Sequence, residues 1–154
     1  DKYVLFLTSE FSQWFPSDFT AEGKQFHYAE QYMMYKKALL FNDETIAREI
    51  LTTDDPAKMK RLGRRISNFD QNIWDANKLS IVINGNYLKF SQNGELARNL
   101  LRHHGKTLVE ASPLDRVWGI GYTRANALRN HATWGQNLLG QALGVVRDRL
   151  YSEL

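Results

Sequence analysis

Residues 28–41, running from Tyr28 through Met33-Met34 to Phe41, constrain the fold more than any other stretch. Their apolar residues recur at helical spacing and spread almost all the way round the wheel. With Tyr28 at zero and about 100 degrees per residue, Tyr32, Tyr35 and Leu39 fall within about 40 degrees of it, Met33 and Leu40 near 120–140, and Met34 and Phe41 near 220–240. A helix apolar on nearly every side is a buried helix. Two charges interrupt it. Glu30 and Lys37 share one face, about 10.5 Å apart along the axis, too far for an i,i+4 pair. Buried charges are costly unless compensated. Either this face is solvated, or each charge pairs with another element, or the face is an active-site wall whose burial tunes a carboxylate and an amine. Lys36 lies on another stripe and reads as a surface lysine.

The rest of the chain is built to cover such a helix. Its 154 residues are 43% hydrophobic, enough for one core and one domain over residues 1–154. Tyr3 to Leu7 reads as a buried strand, and Ala21-Glu22-Gly23-Lys24 as a turn. Asp43 caps a helix running to Leu51, and Asp55-Pro56 starts another that ends near Gly63. Residues 74–91 admit two readings: Asn84-Gly85 is a hairpin signal, yet Leu79, Ile83, Tyr87 and Phe90 lie at helical spacing. Glu95 to His103 is helical and stops at Gly105. Val109 to Gly121 is loop or short strand. Gln136 to Leu154 is a last helix with Leu139, Leu143, Val146 and Leu150 on one stripe. The sum is a mainly α chain, a compact multihelical single domain with a few short β-strands.

Several chemistries are disfavoured. The chain has no cysteine, hence no disulfide, thiolate metal site or cysteine nucleophile. His27, His103, His104 and His131 have no metal-ligand spacing, so no metal is expected. No run approaches a membrane span and no signal peptide is visible, so the expectation is an intracellular, cytoplasmic protein with no membrane partner. Phosphate-loop, nucleophile-elbow and dinucleotide glycine motifs are absent.

Three other stretches carry chemistry or packing. Lys58, Lys60, Arg61, Arg64 and Arg65 form either a solvated basic face or a phosphate contact, with Arg64 foremost. In Glu110 to Gly121, Asp115, Arg116 and Trp118 offer a carboxylate, a cation and a stacking plane, and Gly119 and Gly121 permit close backbone approach to a ligand. Thr133 to Asn137 opens the last helix, either as an ordinary cap or as an anion site.

These pieces recur in a known order. Gly23-Lys24, Ala29-Glu30-Gln31-Tyr32, Lys37-Ala38, Leu62-Gly63-Arg64, Trp74, Lys89-Phe90 with Gln92-Asn93, Glu110-Ala111-Ser112-Pro113, Asp115, Trp118-Gly119-Ile120-Gly121, Gly135 with Asn137, Leu139-Gly140 and Val146-Arg147 together resemble the NADAR family of YbiA-like N-glycosidases. The resemblance spans nearly the whole chain. It implies a mostly helical fold and tips residues 75–91 toward helix. It also implies cleavage of a ribose–base N-glycosidic bond, with one of two substrates: ADP-ribose on guanine in nucleic acid or nucleotides, or ribosylated pyrimidine phosphates of riboflavin synthesis. The partner is therefore an ADP-ribose-containing or ribosyl-phosphate substrate, including ADP-ribosylated DNA or RNA, and no cofactor is required. Arg102-His103-His104-Gly105 and the long Tyr122–Thr133 segment depart from the family pattern and lean toward the ADP-ribosyl-guanine class.

On this resemblance Glu30 is the functional glutamate, and Lys37 is an amine that attacks C1′ or balances a phosphate. Lys89 is the rival amine. Asp115 orients ribose hydroxyls or shares acid–base duty, Trp118 stacks on the base, and Arg64 and Asn137 hold phosphates.

Overall fold

The computed structural model describes residues 2–154, and their order is β1 (Tyr3–Phe6), β2 (Phe19–Ala21), β3 (Lys24–Phe26), α1 (Ala29–Leu40), α2 (Glu44–Leu51), α3 (Pro56–Gly63), α4 (Gln71–Ser91), α5 (Gly94–Leu101), β4 (Thr107–Glu110), α6 (Arg124–Ala127), a 3₁₀ segment (Leu128–Thr133) and α7 (Leu138–Ser152). The fold is mainly helical with a few short strands, as the sequence predicts. Among the described residues no helix is long and apolar enough to cross a membrane. The chain forms two compact units, residues 13–93 and residues 2–12 with 94–154.

In the unit of residues 13–93, α1 is the central element, packed by α2, α3 and α4. Its residues from Ala29 through Tyr35, and Ala38, are all buried. This is the outcome its all-round apolar pattern demands. The surrounding helices start where local chemistry dictates. The Asp43 carboxylate accepts from the Ile46 amide, Asp55 from Ala57, and Asp70 from Asn72 and Ile73. The antiparallel β2–β3 pair turns at Glu22-Gly23, both with positive φ, and delivers Phe19 and Phe26 onto Tyr32.

Residues 71–91 are one helix, so the Asn-Gly hairpin signal is overridden. A Cβ on Gly85 would lie 2.6 Å from the Tyr32 ring, and the Asn84 amide donates to the Tyr32 hydroxyl at 2.5 Å. The small residue is there to admit α1, and no turn is needed. Trp74, Val82, Gly85, Asn86, Lys89 and Phe90 form the buried stripe of α4.

In the other unit β1 and β4 pair in parallel, Tyr3 opposite Thr107 and Phe6 opposite Glu110. Helix α7 packs on β4 and α5, burying Leu139, Leu143, Val146 and Leu150, the stripe read from sequence. Val109, Ala111, Ile120 and Ala127 make a second cluster with Tyr3 and Trp134 against it.

Candidate active site

The unit of residues 13–93 buries two charged side chains, Glu30 at 5% exposure and Lys89 at 0%. Enclosing opposite charges is expensive unless each is compensated, and that expense is typical of functional sites. Glu30 sits in the first turn of α1, its amide donating to the Gln13 carbonyl at 3.0 Å. Gln13 is locked to the buried Asn86 of α4 by reciprocal amide bonds of 3.0 and 3.3 Å. One turn further along α4, Lys89 places its ammonium 5.9 Å from the Phe15 ring centroid and 5.0 Å from that of Phe90.

Lys37, two turns along α1 from Glu30, is half-buried. Its Nζ donates to the Gly63 carbonyl at 3.3 Å and lies 4.8 Å from the Phe69 ring centroid and 5.3 Å from that of Trp74. Burial pulls the amine below its ordinary value of 10.5; the Glu30 carboxylate pulls it back up, and the Arg64 guanidinium pushes it down. The two charges seen on one helix face are therefore electrostatically coupled, and Arg64 acts on the same amine. Gly63 brings its carbonyl this close because α3 lies tight on α1: a Cβ there would meet the Met34 sulfur at 2.2 Å. Of the sequence-read site residues, Glu30, Lys37, Arg64 and Lys89 belong to this unit.

Phe69, Trp74, Gln13 and Asn86 were not assigned roles by sequence reasoning. Trp74 recurs in the family series, and Asn86 lies one helical turn before Lys89. Nothing in the sequence brings Phe69 and Trp74 to Lys37, because the contact depends on the fold.

Asp115, Trp118, Gly119, Gly121 and Asn137 belong to the other unit. There Asp115 accepts from the amides of Val117 and Trp118, both at 2.9 Å, and so shapes the loop that carries the half-buried Trp118. The close approach expected at the glycines is present, but the partner is the chain itself. A Cβ on Gly119 would lie 2.9 Å from the Glu110 carbonyl, and Gly121, at φ +80°, lies against the Arg116 side chain. Asn137 is buried and bonded within the chain: its side chain accepts from the Glu110 amide at 3.0 Å and donates to the Leu108 carbonyl at 2.9 Å. The start of α7 is not an open anion site either. The Leu138 and Leu139 amides donate to the Val117 and Trp118 carbonyls, which satisfies two of the groups an anion would need. This segment is a packed joint between the loop and the helix.

The same unit has an open cavity of about 600 Å³ at the end of β1, lined by Phe6, Glu10, Phe11, His103, Pro113 and Arg124. His103 packs edge-on against Phe11, and Arg124 donates to the Leu5 carbonyl at 2.6 Å. Among the described residues no group of three His, Asp or Glu side chains gathers to hold a metal.

Comparison with known proteins places these features in a family. The chain is 45% identical to an N-glycosidase of Acanthamoeba polyphaga mimivirus over 96% of each protein. It is 38% identical to the Caenorhabditis elegans protein irg-1, covering 97% of this chain and 80% of that one. A riboflavin biosynthesis protein of Vibrio vulnificus is 28% identical, matching 90% of this chain but 35% of its own length. The NMR structure of the Escherichia coli protein YbiA superposes with a TM-score of 0.82 at 27% identity, over 99% of this chain and 87% of that one. The NADAR domain model matches residues 6–151, which include Glu30, Lys37, Arg64, Lys89, Asp115, Trp118 and Asn137, and the chain belongs to the NADAR domain family.

Proposed function

We infer that this protein is an N-glycosidase that cleaves the bond between ribose and a nitrogenous base, releasing ADP-ribose from ADP-ribosylated guanine in nucleic acid or nucleotides. Glycosidase chemistry is supported by family membership and by the N-glycosidase relative at 45% identity. One observation carries the assignment of residues: a buried carboxylate, Glu30, and an amine held below its ordinary pKa, Lys37, are electrostatically coupled along one helix.

Breaking this bond builds positive charge at the anomeric carbon and negative charge on the departing base. The Glu30 carboxylate stabilises the first. A neutral Lys37 amine attacks C1′ as the C1′–N bond breaks; the bonding pair leaves with the base, which takes up a proton. Opening of the ribose ring then gives an imine between Lys37 and C1′, and water hydrolyses it to free sugar and amine. Arg64 beside Lys37 balances a substrate phosphate. Lys89 is the alternative amine.

A second substrate reading, ribosylated pyrimidine phosphates, is favoured by the riboflavin-named relatives, of which the chain matches only 35% and 16% of the length. Incubation with ADP-ribosylated guanosine and with such intermediates, followed by assay of the released base, separates the two. Reduction with borohydride during turnover tests the covalent step by intact mass. Wild-type protein should gain one sugar-containing fragment, and Lys37→Ala and Lys37→Arg should gain none, since guanidinium stays protonated. Trapping that survives in Lys37→Ala and disappears in Lys89→Ala moves the role to Lys89. Turnover without trapping replaces the amine with a water activated by Glu30.

A further inference from the structure

The basic segment from Lys58 to Arg65 has a property the glycosidase reading leaves unused. Lys58, Lys60, Arg61, Arg64 and Arg65 are all exposed, and among the described residues none of them joins an ion pair. Of the acids near the segment, Asp43, Asp55 and Asp70 accept from backbone amides at helix starts. Lys60 and the C-cap Arg64 stand at i,i+4, where like charges repel. The chain's net charge is +3, less than these five cations alone carry, so the remainder is net acidic.

Its location ties the segment to the reactive amine. Lys37 Nζ donates to the carbonyl of Gly63, the last residue of α3, and Arg64 follows directly. Phe69, 42% exposed, has its ring centroid 4.8 Å from the same amine. From Lys58 to Arg64 the cations span about 9 Å of helix. A nucleic-acid strand carries one phosphate per nucleotide along its whole length, so a row of cations that continues past Arg64 has further phosphates to meet, whereas a pyrophosphate offers two. Cations beside an exposed aromatic ring form the arrangement that grips a single strand, phosphates on the charges and a base on the ring.

We propose that Lys58, Lys60, Arg61 and Arg65, continuing outward from Arg64, form a docking track for the phosphodiester backbone of a single-stranded nucleic acid, with Phe69 as the stacking platform for a base next to the scissile bond. Delivery of that bond to Lys37 rests on the glycosidase reading; binding of the strand does not.

The test uses the full chain and the combined variant Lys60→Gln, Arg61→Gln, Arg65→Gln, which leaves Arg64 and Lys37 intact. Fluorescence anisotropy reads binding of an unmodified single-stranded oligonucleotide across a salt series. The wild type should bind with a steep salt slope. The variant should bind at least about tenfold more weakly, with the log–log slope reduced by about 2 for three lost cations. On an ADP-ribosylated oligonucleotide its kcat/KM should fall by a similar factor, mostly through KM, while turnover of ADP-ribosylated guanosine is unchanged. Equal losses on both substrates would make the track part of the nucleotide's own pyrophosphate site and overturn the proposal. So would absent or salt-insensitive oligonucleotide binding by the wild type. If neither modified substrate is cleaved, the glycosidase reading fails, and the binding measurement still decides the track. Circular dichroism verifies that the variant is folded; otherwise Lys60→Gln alone is read by the same salt slope.

Discussion

Two side chains on α1 carry the proposed chemistry, and each makes a distinct prediction. Glu30 is a buried carboxylate in the first turn of α1. Replacing it with glutamine keeps the volume and removes the charge. Turnover of the glycosidic substrate should fall about 10²–10⁴-fold while the thermal midpoint stays near wild type; full activity at normal stability would remove Glu30 from the mechanism. The Lys37 amine is the second. Burial lowers its pKa first, Glu30 raises it, and Arg64 lowers it. Its neutral fraction at a given pH therefore exceeds that of a free lysine, and kcat/KM should climb with pH through a midpoint below the ordinary 10.5. Arg64→Gln withdraws a cation that disfavours the ammonium, so the climb should move to higher pH. A pH–rate profile that does not move assigns the titrating group elsewhere. The charges themselves were readable from the helical wheel. The environment that tunes them was not, because Phe69 and Trp74 reach Lys37 from 32 and 37 residues away through the packing of α4 and its preceding turn.

Elements show how far local pattern carries and where packing overrules it. The all-round apolar α1, the Asp43 and Asp55 caps and the α7 stripe follow directly from spacing and capping chemistry. The Asn84-Gly85 pair does not: the same two residues serve a hairpin or a crowded helix crossing, and only the position of Tyr32 distinguishes them. Gly85→Ala should therefore destabilise the protein by about 1–3 kcal/mol in denaturant unfolding, an overpacking cost despite alanine's better helix propensity. Gly94→Ala, whose added Cβ would lie 3.5 Å from the flexible Arg98 side chain, should not. The 110–121 loop shows the complementary limit. Its residue types suggest ligand contacts, but a sequence names donors and acceptors without naming partners, and the Gly119 carbonyl and the Asn137 side chain find partners within the chain. Trp118 is the exception, half-buried on a loop ordered by Asp115. Trp118→Ala should weaken substrate binding more than it lowers the unfolding midpoint; a variant that chiefly unfolds makes the ring a core residue.

Across the whole molecule, the response to acid should separate into two windows with different owners. His103 lies below its ordinary value of 6.5, first through burial and then through Lys106, Arg147 and Arg102, with Glu10 opposing. Its folded pKa is thus lower than its unfolded one. Between the two, the unfolded chain binds the extra proton, and stability falls as pH falls. The His103 contribution is complete above about 6.5 and is lost as pH drops through the folded pKa. Asp43 and Asp75 are also depressed, from 3.8: Asp43 first by the Ser67 amide and then that of Ile46, Asp75 by Lys78 and then Gln71. Their contributions are intact above 3.8 and disappear only below it. Urea midpoints measured against pH should therefore decline in a first step below about pH 6.5 and in a second below about pH 4. His103→Asn removes the imidazole while keeping a polar side chain; it should flatten the first step and leave the second. An unchanged first step in that variant would assign it to another group. The histidine was visible in the sequence as a departure from the family pattern, and its proximity to Lys106 and Arg102 was visible too. Arg147 was not: it reaches the His103 and Lys106 carbonyls from α7, at 3.0 and 2.6 Å, a contact that exists only once α7 has packed against the end of α5. The same contact holds a cation beside the imidazole, so the first step reports the integrity of that packing as well as the titration of one ring.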